Sequence, residues 1–530
     1  MIRVPDLPGA ARLARLVGIM LRALAVALIV MPGLVAAPSA RAEEPPPAPG
    51  LGARLRPLSA SSRADVPLAE GGIVLDVVHP QGAAARAGLR AGDVLITFDG
   101  APVPYPFVLY ETLGRHAVGD EVRFGYWRAG ESHEAKARLG SGAAELGPAC
   151  EAGDGASCTA FADLHLRGSG VARDPYKAAR LFQQACDAGD GAGCTSLGWM
   201  QLRMAGKPVH PAAAIGLYRK GCDGGDPRGC ALLGQAYEVG LAMRPEPERA
   251  IGLYRQACDG GAGEGCASLA ALHLKGDGVK ADAPGAVALY RQACGQWDWA
   301  ACFTLGGLLE EGTAVPRDLA AALGQYKQAC DAGHPHACLN VALFTQSGRG
   351  TPAHEERAAA LLRQLCEDRG YALACLPLAD AYAAGRGLAA DEARAVALYR
   401  RGCEEWGIPA GCARLGACLR AGRGAARDAA AAVELLSHAC EGGEADACLQ
   451  SGEMYASGEG TAPQPERALA LFTRGCELGQ PRTCLRAAVL NRDGKGVAQD
   501  EAAARALFQK SCDAGETEAC AQVEPTKNPD

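Results

Sequence analysis

The chain has 530 residues, 53 basic against 60 acidic side chains and a formal charge of −7, with 48% of its residues apolar. That balance excludes a typical nucleic-acid binder, which neutralises phosphates with a basic surface, and the apolar share excludes a disordered chain. Its 23 cysteines would be odd in a reducing cytosol and are natural in an exported protein.

Residues 1–42 read as an export signal. Arg3, Arg12, Arg15 and Arg22 supply a positive leading region, and Ala23 to Ala37 is an apolar run too short to span a bilayer comfortably. Pro32 inside that run speaks against an uncleaved anchor, and "ARA" at Ala40 to Ala42 is a small-x-small cleavage site. Cleavage removes five arginines and one Asp, leaving 48 basic against 59 acidic side chains, a formal charge of −11. No cysteine precedes Cys150 to serve as a lipid attachment point. The mature chain is therefore expected to be exported, periplasmic or secreted, with no stable membrane insertion. Residues 43–50 read as a Pro-rich linker.

Residues 51–140 lack cysteine and alternate like strands. "GGIVLDVV" from Gly71 reads as a strand, Ala83 to Val103 as short helix, turn, strand and hairpin, "FVLYETLGRH" as a helix and "DEVRFGYWRAG" as a strand. With "HPQGAAARAGLRAGDVLITFDG" at His79 to Gly100, then "GDEV", "WRAG" and "ARLG", the segment resembles a small α/β PDZ domain of the bacterial kind. Such domains bind a partner's free C-terminal peptide as an added strand, with backbone N–H groups of a Gly-rich loop holding the carboxylate. The resemblance implies a loop at Gly50, Leu51, Gly52 and Ala53, an accepting strand opened by Arg54 and Leu55, and a groove lined by Leu109 and Leu113. The sequence departs from the family at Ala53, where a larger apolar residue is preferred, and at the insert "LRPLSASSRADVPLAE".

Residues 141–522 repeat. The first cysteines of successive pairs stand at Cys150, Cys186, Cys222, Cys258, Cys294, Cys330, Cys366, Cys403, Cys440, Cys476 and Cys512, in steps of 36 residues with two of 37. The second members follow eight later at Cys158, Cys194, Cys230, Cys266, Cys302, Cys338, Cys448, Cys484 and Cys520, and nine later at Cys375 and Cys412. The two longer pairs read as one-residue loop insertions that leave the helices in register. Twenty residues after each second cysteine of the ten full units stands an Ala, from Ala178 to Ala504, and four further on a large side chain such as Phe182, Tyr254 or Leu436. That spacing puts both on one helix face. Six after the second cysteine the residue is always apolar, which marks the buried stripe of the other helix. Ten after it stands Gly in nine of ten units, a helix stop. Asp174, Asp282, Asp318, Asp391, Asp428 and Asp500 then precede the next helix as caps.

"ACDAGDGAGCTSLG", "GSGVARDPYKAARLFQQAC" and the 36-residue period resemble Sel1-like repeats, and the paired cysteines are similar to the secreted, disulfide-rich Hcp (Helicobacter cysteine-rich protein) type. The implied architecture is an all-α solenoid of disulfide-stapled Sel1-like (TPR-like) helix pairs preceded by the PDZ domain. With the first cysteine ending one helix and the second opening the next, each pair comes within disulfide reach. The last unit stops soon after Cys520, so its second helix is expected to be missing, and residues 523–530 read as a disordered tail.

Chemistry is sparse. The cysteine spacing does not fit zinc, whose ligand pairs sit closer; neither metal nor cofactor is expected. Cys418, at a six-after position, reads as a buried thiol, His334 and His336 as a close histidine pair in a cysteine loop, and His165 and His273 as packing. No S-x-x-K, H-E-x-x-H or H-x-H-x-D stands in the sequence. No catalytic residue is assigned. The expected function is an exported interaction scaffold whose PDZ groove binds a C-terminus while the solenoid's concave face binds a second protein or peptidoglycan fragment. The alternative, a β-lactamase or penicillin-binding hydrolase of the Hcp kind, rests on the family resemblance alone.

Overall fold

The computed structural model describes residues 49–51, 53–57, 72–78, 82–103, 109, 112–113, 115–168, 171–203, 211–241 and 244–523. The export signal, the linker as far as residue 48, most of the insert and the tail from residue 524 lie outside the described residues.

Eight strands are described: β1 Pro49–Gly50, β2 Ala53–Pro57, β3 Ile73–Val78, β4 Val94–Phe98, β5 Ala101–Pro102, β6 Glu121–Arg128, β7 Glu131–Arg138 and β8 Gly140–Ser141. They form an antiparallel sheet in the order β2-β3-β4-β6-β7, with β5 beside β4, and a separate pair β1-β8. Two tight hairpins shape the sheet. Asp99 and Gly100 turn β4 into β5, and Ala129 and Gly130 turn β6 into β7, all four with positive φ, as two-residue loops of matching twist require. Ile73, Leu75, Leu95, Phe98, Val122 and Phe124 are wholly buried, with the two phenylalanine rings edge to face at 5.0 Å. Buried Asp93 accepts two hydrogen bonds from Arg128, from Nε and Nη2, both at 2.6 Å, and one from the Arg90 N–H. A buried carboxylate paired in this bidentate way is compensated on both oxygens.

The repeat region begins at the helix Gly142–Glu151 and alternates two kinds of helix. The helix containing each second cysteine is termed A and the one leading to the next pair B. From Gly155–Arg167 to Glu501–Asp513 every described α-helix spans 13 residues, except Glu355–Arg363, which a five-residue π turn extends. The punctuation follows from local chemistry. Gly168, Gly276, Gly312 and Gly385 end A helices in the left-handed conformation, and Asp174, Asp282, Asp318, Asp391, Asp428 and Asp500 each accept from a backbone N–H three residues on to start B helices.

Packing within a unit is ring on ledge. The repeating Ala of the B helix is at most 2% exposed in every unit, and the large side chain four residues later at most 7%. Those side chains meet a residue four positions after the second cysteine, which is Gly or Ala in all ten units. A Cβ on Gly198, Gly234 or Gly306 would stand 2.9, 2.8 or 2.6 Å from the ring of Tyr218, Tyr254 or Tyr326. Only a minimal side chain fits there. Position three after the cysteine is Leu in six of the ten units, with Leu197, Leu233, Leu269, Leu305, Leu378 and Leu415 at most 4% exposed. The six-after position is less uniform than its apolar pattern suggests. Met200, Leu272, Phe344 and Met454 are buried there, but Leu164, Leu308, Cys418 and Leu490 are half-buried.

All eleven cysteine pairs are disulfides, with Cα–Cα distances between 4.5 and 4.9 Å. The first inserted residue is not simply a loop event. The helix Glu355–Arg363 runs into a π turn at Gln364–Asp368, which takes up one extra residue before the chain turns. Its closing hydrogen bond runs from the Tyr371 N–H to the Leu365 carbonyl, as Ile408 to Gly402 does in the second case, against Asp190 to Ala185 in a standard unit. The helices on either side keep their register.

Three outcomes follow from this packing. Replacing Cys258 and Cys266 together by Ala should cost about 2 to 3 kcal/mol, the chain-entropy value for so short a loop, with faster hydrogen exchange confined to the two units that meet there. Gly350 has φ +69 and an added Cβ would meet the Leu319 carbonyl oxygen, whereas helical Gly216 has open space. Denaturant titration should show a loss of about 3 kcal/mol for Gly350→Ala and a gain of about 0.5 to 1 kcal/mol for Gly216→Ala. Finally, burial pushes the Tyr218 hydroxyl up to about 12, and burial aided by Glu238 and Glu310 raises Tyr254 and Tyr326. An acid whose folded pKa is raised stabilises the fold fully below its unfolded value, near 10, and loses that contribution as pH climbs through the folded value. Melting temperature should fall between pH 10 and about 12, and Tyr254→Phe should flatten that fall while costing about 1 kcal/mol at neutral pH through the lost bond to Glu238.

Candidate functional site

The sheet order leaves β2 at an edge, bonded to β3 on one side and to no other described strand. Ala53 pairs with Val78, Arg54 with Val77 and Leu55 with Leu75, and a bulge between Arg54 and Leu55 breaks the register. An edge that no described strand covers is what an added peptide strand needs.

The residues singled out in the sequence divide into three groups. Leu51, Leu109 and Leu113 belong to the sheet domain's core, at 6%, 0% and 4% exposure, and the Leu51 carbonyl accepts from the Ala84 N–H at 2.9 Å. Ala53 and Leu55 lie at the rim of that core, half-buried, with Val78 and Ala87. Gly50 is held in β1 against Gly140 of β8, so it closes the domain's neck, while Arg54 opens β2 beside Val77. Gly52 lies outside the described residues.

A further rim residue comes from far along the chain. Trp297, in the disulfide loop between Cys294 and Cys302, packs against the same core. Its φ is +67. The corresponding left-handed position in the other ten disulfide loops is glycine, among them Gly189, Gly225, Gly261 and Gly333. A tryptophan there stores about 1 to 3 kcal/mol of backbone strain. The sequence carried this signal as the one loop lacking its glycine.

Leu55 and Trp297 open onto a cleft of about 1070 Å³ whose far wall is formed by A helices and cysteine loops of the first units. Trp199 stands there 37% exposed with the Arg203 guanidinium stacked at 4.6 Å. Burial holds the Asp163 carboxyl above its ordinary range, partly offset by Arg167 and Arg228. Asp190 is already committed, accepting from Thr159 Oγ1 at 2.6 Å and from the Gly193 N–H at 2.8 Å. The wall is therefore mixed in charge, with an aromatic face. It suits a peptide more than a single ion or a phosphate.

The remaining polar candidates serve the fold. His334 caps the helix Pro335–Ser347 by accepting from the Ala337 N–H at 3.2 Å, and His336 Nδ1 lies 2.6 Å from the Tyr371 hydroxyl. His165 Nδ1 is 3.3 Å from the Ala172 carbonyl, and burial lowers its pKa. Cys418 is half-buried against the core, a lesser burial than its apolar position implied, and desolvation raises its thiol. Among the described residues no group of three or more His, Cys, Asp or Glu is placed to hold a metal ion, and no helix is long and apolar enough to cross a membrane.

Comparison with known proteins agrees with this division. The PDZ domain family matches residues 49–139, and the Sel1 repeat family matches nine segments, from 156–190 to 481–516, that together exceed half of the chain. A protective antigen of uropathogenic Escherichia coli displaying an SLR fold superposes with a TM-score of 0.57 at 23% identity, over 72% of this chain and 81% of that one. A Sel1 repeat protein from Oxalobacter formigenes gives 0.50 at 26% identity, over 62% and 92%. Over 82 residues the chain is 39% identical to the magnetosome formation protease MamE of Magnetospirillum gryphiswaldense, which is 15% of this chain and only 11% of that protein.

Proposed function

We propose, for a chain that belongs to the Sel1 repeat family and carries a PDZ domain ahead of its repeats, an exported scaffold that captures the free C-terminus of a protein partner. Both kinds of domain serve protein–protein interaction, and the eleven disulfides fit an oxidising compartment, here read as periplasmic or extracellular. The observation that carries the reading is the outer edge of β2, which no described strand covers and which opens, through Leu55, onto a cleft.

Capture would proceed by strand addition. The partner's last residues align along β2 and exchange backbone hydrogen bonds with it, while N–H groups of the segment Gly50 to Ala53 hold the terminal carboxylate. Main-chain bonds supply affinity without sequence preference; the rim residues Ala53 and Leu55 supply the contact for an apolar side chain. The solenoid's concave face is left to hold a second protein or a cell-wall fragment.

The test uses the full chain and decapeptides with free C-termini, selected from a random library, against amidated copies in fluorescence anisotropy. Amidation should weaken binding by about tenfold or more, since an N–H cradle for a carboxylate loses its charge-assisted bonds. Leu55→Asp should do the same. Amidated and free peptides binding alike would sink the reading.

A further inference from the structure

We propose that Trp297 anchors the PDZ domain over the A helices and cysteine loops of the first repeats, so that a captured tail is read by a composite site with β2 on one wall and repeat side chains on the other. The inference rests on tail capture as read above and adds the second wall.

The argument starts from the strained turn. A disulfide loop of this kind needs a residue with positive φ after its first cysteine, and glycine meets that need without strain, as at Gly261 and Gly333 on either side. The turn itself gives no reason for a tryptophan. The contact does: the Trp297 side chain packs on the core of a domain about two hundred residues earlier and lines the same cleft as Leu55. The anchor is braced from its own side. Trp297 stacks on Trp299 with ring centroids 6.3 Å apart and planes 19° apart, and the neighbouring Gln296 donates from Nε2 to the Cys258 carbonyl at 3.1 Å, tying this loop to the previous one.

A second attachment fixes the domain's orientation. The sheet passes from β8 at Gly140–Ser141 directly into the helix beginning at Gly142, with no spacer. Held covalently at one point and by Trp297 at another, the domain presents Leu55 to the cleft, and Trp199 faces the same space. A peptide added to β2 would thus run between the two domains. Trp297 is half-buried and Trp199 exposed, and tryptophans are among the side chains that most often dominate binding. The occupant this predicts is an extended tail with a free carboxylate and an apolar or aromatic side chain upstream of its terminal residues.

Full chains carrying Trp297→Gly and, separately, Trp199→Ala would be compared with the wild type using the decapeptide selected above and a short copy that keeps only its C-terminal end. Trp297→Gly restores the residue the other loops use, so the fold should persist, with solution scattering showing a larger maximum dimension. Both variants should bind the decapeptide at least about tenfold more weakly and the short copy with unchanged affinity. Unchanged scattering in Trp297→Gly would overturn the anchor. Unchanged decapeptide affinity in both variants would overturn the composite site, as would tighter binding by Trp297→Gly, which would show instead that Trp297 covers the groove. If binding ignores amidation, or no peptide binds the wild type, tail capture fails and the composite site with it; retained sensitivity to amidation with unaffected variants sinks the composite site alone.

Discussion

The solenoid depends on how closely the two helices of a unit can approach. That distance is set by the Gly or Ala four residues after the second cysteine, on which the large B-helix side chain rests, as Tyr326 rests on Gly306. A larger residue on the ledge would push the B helix outward and open voids around the ring, and interiors are packed too densely to absorb such a shift. The disulfide fixes the helices at one end of the unit and the left-handed Gly turn at the other. Between them the ledge decides whether the apolar faces meet. Since each unit touches only its neighbours, the same condition has to be met afresh in every unit, which explains why the pattern repeats so strictly where little else does.

The same economy makes the sheet domain unusual. A free edge strand is ordinarily a hazard, since it templates pairing with another chain. Here the edge of β2 is bulged and faces a cleft walled by the repeats, so a flat second sheet has no approach to it while a single extended segment does. In the composite site proposed above, protection of the edge and selection of its ligand would come from one arrangement. Trp297 is the residue that joins them, and its strained backbone is tolerated because two disulfide-linked helices hold the turn on either side.

Much of this was legible in the sequence. Cysteine spacing, the Ala and ring four apart, the helix-ending Gly and the capping Asp are each local signals with a local cause, and they recur. The ledge was not read, because a glycine in mid-helix reads as a weakness until a ring is seen against it. The π turn at Gln364–Asp368 reads as loop growth in the sequence, which shows an added residue without showing which segment absorbs it. At the candidate site, the core leucines and the β2 residues were named but Trp297 was not. Its contact spans most of five repeats, and no periodic pattern reports on a residue whose role begins where the period fails. Cys418 shows the converse, a position whose apolar pattern promised more burial than the helix packing gives it.

The pairing of β1 with β8 places the arrival and departure of the sheet domain side by side, Pro49 opposite Ser141 and Gly50 opposite Gly140. Mechanically the domain is a head on a two-stranded stem. Tension applied to the preceding segment would enter and leave through that stem and bypass the hydrophobic core of the head. The load would fall on a short ladder peeled from its end, the weakest direction in which hydrogen-bonded strands can be pulled. The first thing to yield would be the stem, with the head and the stapled repeats still folded on either side of it.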